Sequence, residues 1–329
     1  MPAARYRFAP GLELGLEGPG GALRHFAREY APAAVAANGT PPSLDVRLAW
    51  GAETTVGGHK TVRWDVDHGD PRLGPLGLTL GLRGRPRSFA LSLVQGFHLE
   101  PALSVAAARA GHVLLPAAAL EDDGGAIVVL GRSRSGKSSV MTLALAAGRR
   151  VLGDDQVLID GDGGVRTFPR RLRLYPDIRE TAPAAFRRLP AGDRGALLAR
   201  AAARTLSRGW VAPSYAVPAS SVGPEAPREA LPLRRLVMVD RTSEVSDAVR
   251  GPLDVEDVVA LAADVLDEQR ARLRAAAGAG WDDALRETRE REAALLRSAL
   301  GGAQLERLRM PADWPAPRGV AALARVVGL

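Results

Sequence analysis

Gly131-Arg132-Ser133-Arg134-Ser135-Gly136-Lys137-Ser138 satisfies the pattern G-x-x-x-x-G-K-[ST] at every fixed position. The two glycines let the backbone curl until successive N–H groups point inward and cradle phosphate oxygens. A helix starting just beyond adds partial positive charge. Lys137 then reaches the β- and γ-phosphates as a compact point charge, and the Ser138 hydroxyl completes a magnesium shell. Residues Gly131 through Ser139 are therefore expected to hold a nucleoside triphosphate, with the variable positions Arg132, Ser133, Arg134 and Ser135 acting through backbone N–H groups. Lys60 and Lys137 are the only lysines among 44 basic side chains. A chain that otherwise uses arginine and keeps an ammonium here has a specific need for one.

Such a loop works only between a strand and a helix. The apolar run Ala126 to Leu130 predicts the strand leading in, and Ser139 to Ala147 the helix leading out. A second strand region, Val151 to Ile159, carries Gly153-Asp154-Asp155-Gln156-Val157, with Asp154 seventeen residues beyond Lys137. Carboxylates leaving the C-terminal edge of a neighbouring strand face the ligand in an α/β sheet. One acid of such a pair accepts the proton of an attacking hydroxyl, and the other holds magnesium directly or through water. Paired acids without a phosphate loop upstream commonly mark a solvated turn; here the loop is present.

The rest of the chain reads as two regions. Alternating apolar residues at Leu44 to Trp50, Val62 to Val66 and Leu76 to Leu82, with Phe89 to Val94 as a further candidate, predict strands in a β-rich region over residues 1–98. Leu99 to Arg109 predicts a helix and His112 to Leu115 a strand. From Ala126 the pattern is α/β. Residues 212–232 carry five prolines and little periodicity, which predicts a loop or lid. Leu236 to Val239 predicts a buried strand. Two helices follow, one starting at Asp254 with Val258, Leu261, Val265 and Leu266 on a face, the next from Trp281 towards Gly301 with Glu292 interrupting its apolar stripe. The arginines at 166, 170, 171 and 173 read as a solvated strand face in preference to an anion site.

The net charge of +7 would favour nucleic acid, yet the arginines are scattered and no basic run is interleaved with aromatics. No nucleic-acid partner is expected. The absence of cysteine excludes disulfides and thiolate metal sites, and the five histidines show no metal-ligand spacing. Neither a signal peptide nor a membrane-spanning run is evident, so a cytoplasmic protein without a membrane partner is expected.

The loop, its helix and the strand segment Arg149-Arg150-Val151-Leu152-Gly153-Asp154-Asp155-Gln156-Val157 resemble the HPr serine kinase/phosphorylase superfamily. The chain looks most similar to the related kinases that tailor ribosomally made peptides, lasso peptides among them. The resemblance covers roughly residues 100 to 245. It implies an α/β P-loop kinase core of the HPr kinase type over residues 99–329, using ATP and Mg2+ to phosphorylate a serine on a peptide or protein. It makes Asp154 the catalytic base beside Lys137. Asp155 becomes its companion near the metal, joining Ser138. Asp177-Ile178-Arg179 resembles the family's Glu-Ile-Arg segment, so Asp177 is a further metal candidate; on its own, Leu174-Tyr175-Pro176-Asp177 is a strand end running into a turn. Related kinases form homo-oligomers. One departure stands out: Pro116 falls where the family carries a histidine. The residues alone leave open a small-molecule hydroxyl kinase, a nucleotide-binding regulatory protein without phosphotransfer, and a simple triphosphate hydrolase.

Overall fold

A computed structural model describes residues 3–37, 39–51, 56–72, 74–211 and 214–329. The chain is mixed α/β, and its contacts divide it into two compact units. One comprises Met1–Leu114 with Ala263–Leu296, the other Leu115–Ala262 with Arg297–Leu329.

The first unit holds strands β1 (Ala3–Ala9), β2 (Leu12–Glu17), β3 (Leu44–Trp50), β4 (Gly57–His59), β5 (Val62–Asp67) and β6 (Leu76–Arg83). They form one sheet in the order β1-β2-β3-β6-β5-β4. The β2–β3 and β3–β6 pairs are parallel and the others antiparallel. Period two decides the buried face: Leu44, Val46 and Leu48, Val62, Trp64 and Val66, and Leu76 to Leu82 at alternate positions are all buried. Each buried leucine contributes roughly 1.5–3 kcal/mol.

Helices α1 (Gly20–Glu29), α2 (Arg87–Val94) and α3 (Glu100–Arg109) belong to this unit, and α3 packs against β2, β3 and β6. Strand β7 (His112–Leu115) follows them. The stretch from Phe89 to Val94, expected as a strand, is part of helix α2. Ala90, Leu91 and Val94 are its buried residues, a spacing that suits a helix face and not a pleat. A six-residue apolar run carries no period of its own that separates the two.

Helices α4 (Lys137–Ala146), α5 (Ile178–Thr181), α6 (Pro183–Arg188) and α7 (Ala191–Leu206) come next, then α8 (Val255–Ala277) and α9 (Gly280–Leu300). Glu292 on α9, an apparent flaw in the apolar stripe, is buried and paired. Arg270 on α8 donates to its two carboxylate oxygens at 3.1 and 2.7 Å, and the two side chains are 1% and 3% exposed. Burial raises the Glu292 pKa and the facing guanidinium opposes the rise. Removing one member strands the other charge away from water. Glu292→Ala is therefore expected to lower stability by about 3 kcal/mol, read as a drop in denaturation midpoint, whereas truncating the exposed Asp283 that pairs with Arg286 changes it by less than about 0.5 kcal/mol. Those surface partners are Asp283–Arg286 and the cross-helix pair Asp267–Arg289 at 2.9 Å each.

In the second unit β8 (Ala117–Asp122), β9 (Gly125–Gly131), β10 (Val151–Gly153), β11 (Val157–Asp160), β12 (Gly164–Thr167), β15 (Leu231–Thr242), β16 (Val249–Pro252) and β17 (Gln304–Pro311) make a mixed sheet, while β13 (Leu172–Leu174) pairs with β14 (Tyr215–Val217). Every residue of β9 is buried, as expected of a strand covered on both faces. It runs parallel to β15, which runs parallel to β17. Helices α4 and α10 (Ala316–Val326) pack together, and Val140, Met141, Val320 and Leu323 join the core formed by Val129 and Val237. The expected loop at 212–232 contains strand β14 and the start of β15; Ala212 and Pro213 lie outside the described residues. No helix of the described residues is long and apolar enough to cross a membrane.

Candidate functional site

The Gly131–Ser138 segment forms a tight turn between β9 and α4. Gly136 takes φ +97° and Arg134 φ +68°, the left-handed backbone that lets a loop fold back on itself. Gly136 is also the N-cap of α4, and no side chain caps the helix. Its first N–H groups are thus open to an external anion. A Cβ at Gly131 would come within 2.8 Å of the Val239 carbonyl oxygen on β15, so only glycine lets the loop leave the sheet there.

The Lys137 ammonium curls back over this turn. It donates to the carbonyls of Gly131 at 2.5 Å and Arg132 at 3.1 Å and to Ser135 Oγ at 3.3 Å. Burial pulls its pKa below the ordinary lysine value, and the Asp155 carboxylate pulls it back up. The cation is thus held by neutral oxygens, a set that incoming anionic oxygens outcompete.

The acidic pair reaches this edge by topology. The β8–β9 and β8–β10 pairs are both antiparallel, so β10 runs parallel to β9 with β8 between them. The acids accordingly leave a strand one removed from β9, not its immediate neighbour. Gly153 stands beside Ala119, which stands beside Val128; Asp154, one residue on, emerges at the same sheet edge as Gly131. The expected strand region from Val151 to Ile159 divides into β10 and β11 at these acids. A Cβ at Gly153 would overlap the Gln156 carbonyl oxygen, so the sharp exit depends on glycine. Gly153→Ala should cost roughly 2–4 kcal/mol of stability, and a thermal melt of the variant would show it.

Asp154 is 6% exposed. Burial and the adjacent Asp155 push its pKa up to about 6, against the opposing pull of Arg170 and of the backbone N–H groups of Arg173 and Asp154 itself. Ser138 Oγ donates to the Asp154 backbone carbonyl at 3.4 Å, which ties the helix start to the acidic turn. Asp155 is half-exposed and accepts a bond from Arg170 Nη1 at 3.0 Å. Lys137, Ser138, Asp154 and Asp155 thus gather in one cluster. Its chemistry is that of a cationic, N–H-lined anion cradle beside a carboxylate able to take up a proton near neutral pH.

Asp177 stands apart from the contacts that join this cluster. It precedes α5, where its carbonyl accepts from Thr181 Oγ1 at 3.0 Å. Partial desolvation raises its carboxyl pKa; its own backbone N–H opposes the rise and Glu180 adds to it. Arg170, read from the sequence as part of a solvated strand face, is instead a member of the cluster, with a side chain only 11% exposed. Gln156, directly after the acids, was not flagged by the sequence: it is buried, and among the described residues its Oε1 has no hydrogen-bond partner. Only that position marks it in the sequence. His112 is buried with Nε2 against the Pro10 carbonyl at 3.1 Å.

No protein-family model matches the chain, and no curated protein matches it significantly.

Proposed function

We propose that this protein is an ATP-dependent kinase that phosphorylates a serine hydroxyl on a peptide or protein, and that its second unit is a P-loop kinase core of the HPr kinase type. The observation that carries the reading is the meeting of Lys137 and a buried carboxylate of near-neutral pKa at one sheet edge, where Ser138 Oγ also donates to the Asp154 backbone carbonyl. A passive binding protein has no need of a buried base at that point, whereas a hydrolase would turn the same base on water and is separated from a kinase by the acceptor assay below.

The residues fit the ligands. The uncapped start of α4 and the neutral oxygens around Lys137 suit a polyphosphate tail. Ser138 and Asp155 would hold Mg2+, with Asp177 as a further candidate ligand; the ion would offset negative charge on the phosphates. Lys137 supplies positive charge where the transferred phosphoryl group gathers negative charge. Asp154 accepts the serine proton as the new oxygen–phosphorus bond forms and the bond to the leaving diphosphate breaks. Most of the acceleration then comes from positioning and electrostatics.

Incubation with γ-labelled ATP and three acceptor classes tests the assignment. Label on a serine-bearing peptide supports it. Label on a small-molecule alcohol changes the acceptor, free phosphate alone makes the protein a hydrolase, and nucleotide binding without turnover removes the chemistry. Because the base titrates near pH 6, transfer should rise about tenfold per pH unit below that value and level off above it. A profile flat from pH 5 to 8 would exclude Asp154 as base.

A further inference from the structure

Residues 183–211 hold six arginines against one aspartate, a net +5 in a chain whose total is +7. The arginines are Arg187, Arg188, Arg194, Arg200, Arg204 and Arg208. Among the described residues none of them makes an ion pair; Arg188, Arg194 and Arg200 donate to the backbone carbonyls of Val222, Arg187 and Ser214. The single acid, Asp193, is taken by the Tyr215 hydroxyl at 3.1 Å. This positive charge is left without a counter-charge.

Helix α7 runs through the middle of this segment. Leu197 is its one buried residue. Leu198, Ala202 and Leu206 recur at i, i+4 and i+8, which sets them along one face, and all three are exposed, Leu206 at 86%. Trp210, 55% exposed, follows just beyond the helix end. Arg194, one turn before Leu198, shares this face, and an aliphatic stripe beside an uncompensated arginine is a surface of mixed character that a domain seldom leaves uncovered without use.

The surface is tied to the acidic cluster by a short path. The Arg173 backbone N–H bonds the Asp154 carboxylate. Arg173 stands opposite Ala216 in the β13–β14 pair, and strands in a pair lie about 4.8 Å apart. Tyr215, next to Ala216, stacks beneath the Arg200 guanidinium at 5.5 Å and holds Asp193 on α7. One strand pair separates the arginine-rich helix from the proposed base.

The geometry points to α7 and its C-terminal extension to Trp210 as the docking surface for an acidic, apolar segment of the peptide substrate. The inference rests on the kinase reading for its purpose but on the patch alone for its binding chemistry. Glutamates or aspartates would meet Arg194 and Arg208, and leucine-like side chains would cover Leu198 and Leu206. A nucleic acid would satisfy the charge but offers nothing to the aliphatic stripe. Docking there would raise the local concentration of the acceptor serine beside Asp154.

The test uses the full chain and a fluorescein-labelled 15-residue peptide of alternating Glu and Leu ending in Ser, followed by anisotropy without nucleotide. Wild type should bind it. Replacing its glutamates by glutamine should weaken binding at least tenfold, as should the double change of Arg194 and Arg208 to Gln, and so should Leu206→Asp. ATP binding should stay unchanged in both variants, which shows that they are folded. Equal binding of the Gln peptide, wild-type affinity in either variant, or displacement of the peptide by a single-stranded oligonucleotide of equal charge would overturn the inference. The two proposals fail separately. Tight, arginine-dependent docking without label transfer from ATP leaves the surface standing and removes the kinase. Transfer to serine peptides with unchanged KM in the double variant leaves the kinase standing and removes the surface.

Discussion

Lys137→Ala should reduce label transfer from ATP by about a thousandfold or more, with the melting temperature close to wild type. Among the described residues the ammonium is held by Gly131, Arg132 and Ser135 oxygens, so its removal takes away three bonds made within the loop. Burial already lowers its pKa, which means that its charge is poorly solvated and interacts strongly with any phosphate that enters. Loss of the charge therefore falls mainly on the step in which phosphoryl oxygens become most negative. Lys137→Arg should be nearly as damaging, because a planar guanidinium cannot reproduce three convergent bonds from one nitrogen. Turnover in γ-labelled ATP assays, beside a thermal melt, checks both variants. An alanine variant within threefold of wild type would remove Lys137 from the chemistry.

The loop was legible because its function imposes residue types: glycine where the backbone turns left-handed or passes close to β15, lysine where a single nitrogen must reach several oxygens. The acids at 154 and 155 were legible for the same reason, and their spacing from Lys137 matches one helix and one return strand. What the sequence did not carry was the partner of each group. Arg170 lies among four arginines within eight positions, and nothing local distinguishes the one that bonds Asp155 from its neighbours. Glu292 looked like a defect because its counter-charge, Arg270, sits on another helix. Phe89 to Val94 was misassigned because a short apolar run suits either element until its neighbours decide. The insertion of β8 between β9 and β10 likewise follows from long-range pairing, so the sequence reading placed the acids on an adjacent strand.

Asp154→Asn separates chemistry from folding, with opposite signs. The wild-type carboxyl titrates at about 6 in the folded chain against a reference of 3.8. The folded state thus binds the proton more tightly than the unfolded one between those values. Such a group costs no stability below pH 3.8; the cost grows as pH rises through about 6 and is complete above it. A shift of this size corresponds to roughly 3 kcal/mol at pH 8. Asparagine cannot ionise, so the variant should be more stable than wild type at pH 8 by up to about that amount, with the gain vanishing towards pH 4. Transfer should meanwhile fall by at least about a thousandfold, since the amide cannot accept the serine proton. ATP binding should change little, because the Lys137 contacts do not involve the Asp154 side chain. Denaturant midpoints at pH 4 and 8, set beside label transfer, read both effects in one variant. A variant that is inactive but destabilised at pH 8 would show that Asp154 holds the fold through its charge, and would remove the buried base from the mechanism.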